Sequence, residues 1–196
     1  MPARDAVVLT NGPTWDVKSG RKDGRVSLAT NVDLRSQATS IISLPNFFAA
    51  HGFNTEDFVA LLGGHTIGTA ACKFIIERIF SINGSVIDLT IDPLFLAQLQ
   101  SSCPINGDGS SRVALDTGSE LVFDTSIFKN ILNGHAVLKT DQSLFSISDD
   151  IVKTLINLTQ KQRFRKAFAT VMPRMSEIRV KTGVNGEIRK NCSKVN

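Results

Sequence analysis

Apolar residues recur along most of this chain at the spacing of an α-helix, about every three to four positions. Ala70, Phe74 and Ile79 follow this spacing on one predicted helical face. Strand signals are confined to short pieces near 113–115 and around Ile188, and they favour small ribbons at most. The pattern therefore predicts a mainly α protein with long ordered loops. Helices are predicted over 38–51, 55–62, 69–80, 93–101, 125–132, 149–159 and 161–176.

Residues that begin and end helices define several of these boundaries. Asn54 or Thr55 can cap the second predicted helix, and Gly63 and Gly64 end it. Asp124 can cap the fifth helix in the same way.

Prolines and turn residues mark further boundaries. Asp92 followed by Pro93 opens the fourth predicted helix, and Pro173 is expected to kink or break the last one. Residues 7–26 are predicted to be irregular, because they contain the turn sequences Asn-Gly-Pro and Lys-Asp-Gly-Arg.

The composition is that of a globular protein. Of 196 residues, 42% are apolar and 20% are charged, which is typical of one domain over residues 1–196. No run reaches the ~18 consecutive apolar residues of a membrane helix, so no membrane span is predicted. The net charge is +4, and the densest basic cluster is Arg163, Arg165 and Lys166. These side chains lie on a predicted helix, which favours a solvated helix face over a nucleic-acid footprint.

The N-terminus and the cysteines indicate different compartments. The first residues show no signal peptide, since no charged start leads into an apolar run, and they favour a cytosolic chain. The three cysteines, Cys72, Cys103 and Cys192, are an odd count, which leaves one unpaired or implies a partner outside the chain. Asn-x-Ser/Thr sequences, which favour a secreted protein, occur at Asn83, Asn157 and Asn191.

His65 stands in the most informative stretch, residues 63–68, which read Gly-Gly-His-Thr-Ile-Gly. A histidine directly after a Gly-Gly helix end has little bulk before it, which leaves room for a flat ligand such as a porphyrin. On residue chemistry alone, a single histidine at a helix end is more often a capping or packed polar residue. His51 is interpreted as the end of a helix and His135 as a turn residue.

The stretch 63–72, in which Cys72 follows His65 by seven residues, resembles the proximal haem-ligand motif of the class III, secretory plant haem peroxidases. The resemblance covers nearly all of the chain and implies the haem-peroxidase fold. It also implies that the chain holds the proximal domain and that part of the distal domain is missing. Further matching segments, in the family's order, are 3–9, 20–27, 103–109, 123–124, 140–145 and 186–192.

The resemblance assigns the haem site to two residues. His65 would be the axial ligand of the iron of haem b, through one ring nitrogen. Asp141 matches a buried aspartate that accepts a hydrogen bond from the other ring nitrogen. Such a partner fixes the tautomer and makes the imidazole a stronger donor, which favours O–O cleavage. Without the resemblance, Asp141 would be interpreted as a turn or capping residue.

The resemblance also implies a calcium site next to the haem ligand. Calcium prefers about six to eight hard oxygen ligands from carboxylates, hydroxyls and carbonyls. Asp116 and Asp124 would supply carboxylates, and Val122 would supply a carbonyl. Thr66 and Ser119 would each supply a hydroxyl or a carbonyl oxygen.

A disulfide between Cys72 and Cys103 is a third implication of the resemblance. A bridge between positions 31 residues apart would contribute roughly 3–4 kcal/mol to stability. Cys192 would remain a free thiol in this chain, because its partner in the family would lie upstream of residue 1.

The family's distal arginine and histidine, which handle the protons and charge of the peroxide, match no residue of this sequence and are expected upstream. His51 and His135 do not match the distal position. Residues 31–36 depart from the family's Pro-x-Pro segment at the substrate rim, and Arg179 stands where a glycine is common.

By resemblance, the function is that of a peroxidase that uses haem b and Ca²⁺, reduces hydrogen peroxide and oxidises small phenolic donors. A monomer outside the cell or in the vacuole is expected, with no nucleic-acid or membrane partner. Two alternatives stay open: a catalytically inactive, truncated product without the distal histidine and arginine, and a haem- or calcium-binding module without turnover. A coding sequence upstream of Met1 with an arginine and a histidine on one helix would favour the peroxidase.

Overall fold

The structure is a computed structural model that describes residues 2–26, 28, 43–82 and 84–196. These residues form a mainly α fold with one small sheet, as the apolar pattern predicts. The α-helices are α1 (Pro2–Leu9), α2 (Ser43–Ala50), α3 (Thr55–Leu62), α4 (Ile76–Ile79), α5 (Pro93–Ser102), α6 (Ser126–Leu132), α7 (Lys139–Gln142), α8 (Leu144–Ile147), α9 (Asp149–Leu158) and α10 (Lys161–Met175). The strands are β1 (Thr69–Ala71) and β2 (Arg112–Ala114), and short 3-10 helices cover Gly63–Thr66 and Cys72–Phe74.

Several predicted helix boundaries agree with the structure because local capping sets them. Helix α3 covers the predicted 55–62, and a capping box closes its first turn. Asn54 Oδ1 accepts from the amide of Asp57 at 2.8 Å, and Asp57 Oδ2 accepts from the amide of Asn54 at 3.0 Å. Asp92 caps α5 by accepting from the amides of Leu94 and Phe95, each at 3.0 Å.

The helix predicted over 69–80 is wrong for residues 69–75, and only its last part is an α-helix, as α4. Gly68 has a φ of 97°, which a right-handed helix does not contain, and its carbonyl accepts from the amide of Leu115 at 3.0 Å. The chain then forms β1, which pairs antiparallel with β2. Phe74, expected on the apolar face, is 55% exposed. Long-range pairing with β2 has overridden a local helical spacing.

Several smaller expectations also need correction or lie outside the described residues. Residues 7–9, predicted to be irregular, belong to α1. Pro173 does not break α10, which continues to Met175. Of the helix predicted over 38–51, residues 43–50 form α2. The remaining predictions on 38–42, on 31–36 and on Asn83 lie outside the described residues.

Two apolar clusters form the core. In the first, α3 packs against α9 and α10, and aromatic rings fill the centre. Phe123 stacks on Phe164 with ring centroids 4.9 Å apart, and Phe128 meets Phe164 edge-on at the same distance. The second cluster joins Ile75 and Ile79 to residues of α5 and β2. Fully burying one such side chain stabilises a fold by about 1.5–3 kcal/mol.

The surface of α10 carries the basic cluster as a solvated helix face. Arg163 Nε donates to Glu56 Oε1 at 2.8 Å, and Arg165 donates to the carbonyl of Asn11. Lys166 is exposed. Across the described ranges, no helix has both the length and the apolar character needed to cross a membrane.

Candidate functional site

His65 lies on the 3-10 helix Gly63–Thr66, which continues α3 by one tighter turn. Core packing requires the first of the two glycines that precede His65. A Cβ at Gly63 would lie 2.6 Å from both Phe128 Cζ and Phe164 Cε2. The space beside Gly63 is therefore filled by core aromatic rings, and close packing against them sets the position of the turn.

The imidazole of His65 pairs with a buried carboxylate, Asp141, from α7. His65 Nδ1 lies 2.9 Å from Asp141 Oδ2 and 3.1 Å from Asp141 Oδ1. The Asp141 side chain is 2% exposed, whereas that of His65 is 34% exposed. Burial alone would lower the pKa of His65, but the charge and hydrogen bond of Asp141 outweigh it and raise that pKa above its usual value. The pairing leaves Nε2 free of hydrogen bonds to the part of the chain that the structure describes.

Gln142, which sequence reasoning missed, holds the loop before Asp141. Its Nε2 donates to the carbonyl of Ile131 at 2.9 Å, and its Oε1 accepts from the amide of Ala136 at 3.2 Å. A buried glutamine that satisfies two backbone groups stabilises an irregular segment in one conformation. In the sequence, only the position of Gln142 next to Asp141 indicated that it belongs to the site.

The side chain of Thr66, the residue after His65, contacts two carboxylates, those of Asp116 and Asp124. Thr66 Oγ1 donates to Asp116 Oδ2 at 2.7 Å and lies 3.5 Å from Asp124 Oδ1. Thr66 and Asp116 are both fully buried. The Ser119 hydroxyl joins them, donating to Asp124 Oδ2 at 2.5 Å. Four of the five residues predicted to bind calcium therefore form one oxygen-rich cluster.

The fifth residue, Val122, lies in the same turn. The amide of Ser119 donates to the carbonyl of Asp116 at 3.1 Å, and that of Val122 donates to the carbonyl of Ser119 at 2.9 Å. Asp124 Oδ1 accepts from the amide of Ser126, the first residue of α6, at 2.7 Å, which is the capping contact predicted from the sequence. The N-cap position itself is Thr125, whose side chain makes no capping hydrogen bond.

Ser126 and Asn130, both on α6, complete the cluster and were not identified from the sequence. The Ser126 hydroxyl lies 2.6 Å from Asp116 Oδ2 and also contacts Asp124 Oδ1. Asn130 Nδ2 donates to Asp116 Oδ1 at 2.6 Å. Ser126 and Asn130 are four residues apart and lie on one face of α6, but nothing in the sequence indicates that this face meets Asp116. We call Thr66, Asp116, Ser119, Asp124 and Ser126 the oxygen cluster.

The two carboxylates of the oxygen cluster have opposite pKa shifts. Burial, together with the nearby charge of Asp124, raises the pKa of Asp116 despite three donated hydrogen bonds. Burial also acts on Asp124, but hydrogen bonds from Ser119 and Ser126 outweigh it and lower the pKa of Asp124. In the described ranges no three His, Cys, Asp or Glu side chains are grouped as metal ligands. A cation here would therefore also need hydroxyl and carbonyl oxygens.

The structure contains the disulfide between Cys72 and Cys103, with a Cα–Cα distance of 5.4 Å. Both residues are buried in the second apolar cluster. Cys192 is free and exposed, as the sequence implied.

The other two histidines make local contacts. His51 Nδ1 lies 2.8 Å from the carbonyl of Phe47, one helical turn earlier. The His135 ring packs on Phe95 with centroids 5.1 Å apart, and its Nε2 lies 3.6 Å from Asp92 Oδ1. Both fit the interpretation of helix-end and turn residues.

Comparison with known proteins gives one consistent result. A family model described as Peroxidase matches residues 1–161. The chain is 49% identical over 199 residues to Peroxidase 71 and 50% identical over 200 residues to Peroxidase 62, both from Arabidopsis thaliana. It is 47% identical over 206 residues to Peroxidase N1 from Nicotiana tabacum. Each comparison covers 100% of this chain and 60%, 62% and 61% of the respective relative, so the chain spans about three fifths of their length.

Proposed function

Because the chain belongs to the peroxidase family, we propose that His65 is the axial ligand of haem b in an oxidoreductase that reduces hydrogen peroxide. The family generally uses haem. The contact between His65 Nδ1 and Asp141 at 2.9 Å carries the proposal. We further propose that residues 1–196 form the proximal part of one peroxidase domain, with small phenolic molecules as electron donors.

The residues around His65 fit a haem iron. A neutral imidazole that donates through Nδ1 presents its lone pair at Nε2, which is the nitrogen left without a partner. Asp141 holds this tautomer and fixes the ring orientation, because its own side chain is buried and cannot turn to solvent. When bound, haem supplies the redox-active iron for the reaction with peroxide. Asp141 contributes basicity to the imidazole, which makes His65 a stronger electron donor.

The oxygen cluster fits a calcium ion. The Ser126 hydroxyl faces a carboxylate oxygen of Asp116 and one of Asp124, yet it has a single proton to donate. The negative charge of Asp124 acts unfavourably on the nearby carboxylate of Asp116, and a divalent cation between them would remove that repulsion. Thr66 directly follows His65 in sequence, so a cation held by Thr66 would also stabilise the turn that carries the haem ligand.

The partners and location follow from the family. Hydrogen peroxide and small phenolic donors are the proposed substrates, and a monomer is the proposed state. We propose an extracellular or vacuolar location, which is compatible with the Cys72–Cys103 disulfide because disulfides persist in oxidising compartments. No nucleic-acid or membrane partner is proposed.

Haem binding without peroxide turnover is a second candidate function. The observation that favours it is that the two other histidines, His51 and His135, contact Phe47 and Phe95 rather than the residues around His65. A peroxidase needs an acid–base group on the peroxide side, and such catalysis typically contributes about 10²–10⁴-fold to the rate.

The decisive experiment uses the 196-residue chain refolded with haem and Ca²⁺. Haem uptake is followed by the Soret band, and turnover by oxidation of a phenol after addition of hydrogen peroxide. We expect His65→Ala to abolish the Soret shift, while the matched variants His51→Ala and His135→Ala retain it. A shift without turnover above free haem would support the second function. A Soret shift that survives His65→Ala would refute His65 as the ligand.

A further inference from the structure

Arg78 is a buried arginine that the haem and calcium sites do not explain. It lies on α4 between the buried residues Ile75 and Ile79, and its side chain is 5% exposed. Arginine is seldom fully buried unless its guanidinium has partners. The contacts of this guanidinium therefore indicate what the residue does.

The guanidinium of Arg78 joins two separate loops. Its Nε donates to Asp88 Oδ2 at 2.8 Å, and the amide of Asp88 donates back to the carbonyl of Arg78 at 3.0 Å. Its Nη1 donates to the carbonyls of Ala136 and Val137, each at 2.6 Å. Hydrogen bonds from a charged donor are about twice as strong as neutral ones, so these contacts restrain the loop at Ala136 and Val137.

The restrained loop leads directly into α7, which carries Asp141. Ala136 and Val137 are fully buried, and the amide group of Gln142 also binds the loop, through the amide of Ala136 and the carbonyl of Ile131. The backbone before Asp141 is thus fixed at two points, one by Gln142 and one by Arg78. A shift of this backbone would move the Asp141 carboxylate relative to His65.

Arg78 also acts on Asp141 through its charge. Burial lowers the pKa of Arg78, and the negative charges of Asp88 and Asp141 oppose that shift. The attraction between the buried cation and the Asp141 carboxylate adds to the hydrogen bonds that hold the loop before α7 in place.

We propose that Arg78 is a positioning residue for Asp141 and that it acts through Asp141 on the orientation and tautomer of the His65 ring. The inference rests on the proposed function, in which His65 binds the haem iron through Nε2. It is distinct from the Cys72–Cys103 disulfide and from the oxygen cluster, since Arg78 contacts neither.

The first test uses the haem-free chain and the variant Arg78→Gln, which removes the charge and most of the donors. Nitrogen-15 spectra of the His65 ring report the tautomer, and proton exchange at Nδ1 reports the strength of its hydrogen bond. We expect Arg78→Gln to mix the two tautomers and to accelerate exchange about fivefold or more. The matched variant Arg163→Gln removes an exposed arginine that pairs with Glu56, and it should change neither signal.

The second test loads the same proteins with haem and reduces the iron. The iron–histidine stretching frequency in resonance Raman spectra reports how strongly His65 donates, independently of activity. We expect this frequency to fall in Arg78→Gln and to recover partly in Arg78→Lys, which restores the charge but not the planar fork. Asp88→Asn removes one partner of Arg78 and keeps the contacts to Ala136 and Val137, so it should have a smaller effect.

The outcomes distinguish the role of Arg78 from the proposed haem-binding function. A folded Arg78→Gln protein with an unchanged His65 tautomer and exchange rate would overturn the positioning role. If Arg78→Gln does not fold, the comparison of Arg78→Lys with the parent chain decides in the same way. Failure of the parent chain to bind haem would overturn the proposed function, while the spectra of the haem-free protein would still decide the role of Arg78.

Discussion

Gly63 packs directly on the ring of Phe164, so that a Cβ at Gly63 would lie 2.6 Å from Phe164 Cε2. Phe164 is itself enclosed by Phe123 and Phe128. The turn that carries His65 therefore packs against the aromatic rings at the centre of the first apolar cluster. The direction in which the imidazole points depends on this packing and on its contact with Asp141.

We expect Gly63→Ala to lower the free energy of unfolding by about 1–3 kcal/mol, because the added methyl group would overlap two rings that cannot move freely. Gly64→Ala is the matched control, since its Cβ would lie 3.4 Å from Phe168 Cε2, in near-normal contact. Urea denaturation of the two variants measures the difference. Equal losses in both would show that the contact with Phe164 does not constrain the turn.

Calcium is expected to stabilise the chain through the oxygen cluster. At a concentration about 100 times the dissociation constant, a bound ion adds about 2.7 kcal/mol, which corresponds to a rise in Tm of roughly 5–10 °C. Asp116→Asn should abolish this rise, because it removes one of the two carboxylates. Asp108 is an exposed aspartate that accepts from the amide and hydroxyl of Ser110, so Asp108→Asn should keep the full effect. Thermal unfolding with Ca²⁺ or a chelator tests both, and an equal rise in all three proteins would disprove the site.

The disulfide should stabilise the chain by restricting its unfolded state. Replacing Cys72 and Cys103 together by Ser is expected to lower the free energy of unfolding by about 3–4 kcal/mol, given the separation of 31 residues. Cys192→Ser should leave stability unchanged, since that thiol is free and exposed. Denaturation with and without a reducing agent measures both effects. A parent chain that is insensitive to reduction would contradict the expectation.

The ion pair between Arg78 and Asp88 should make stability depend on pH. Partial burial would raise the pKa of Asp88, but hydrogen bonds from Thr90 and Arg78 outweigh it and lower that pKa below 3.8. The contribution of Asp88 is therefore fully present above its unfolded pKa and is lost as the pH falls through the lowered folded value. We expect the stability difference between the parent chain and Asp88→Asn to be constant between about pH 5 and 7 and to shrink below 3.8.

Glu56→Gln is the control for this pH series. Glu56 pairs with Arg163 at the surface, where both side chains are more than 40% exposed, and such pairs contribute about 0–1 kcal/mol. Denaturation across the same pH range should show little change for this variant. A difference between the parent chain and Asp88→Asn that grows as the pH falls would have the wrong sign and would refute the argument.

The mainly α class and the bounds of α3 were predictable from the sequence. The cap at Asn54 and the end of the helix at Gly63 are both set by local residues. The same holds for α5, which Asp92 and Pro93 begin. The strand at 69–71 was not predictable, because the helical spacing there was outweighed by pairing with β2, more than 40 positions later. A local pattern cannot report a partner at that distance along the chain.

The residues of the candidate site divide in the same way. His65 and Asp141 could be proposed from sequence only through the family resemblance, and their separation of 76 positions hides the contact. Ser126, Asn130 and Arg78 acquire their roles only when the folded chain brings carboxylates and carbonyls to them. The sequence by itself thus determined the mainly α class, the helices whose ends are capped locally, such as α3 and α5, and the family that the chain resembles. The tertiary structure decided which polar groups meet, because burial forces each of them to find a partner that lies far away in the chain.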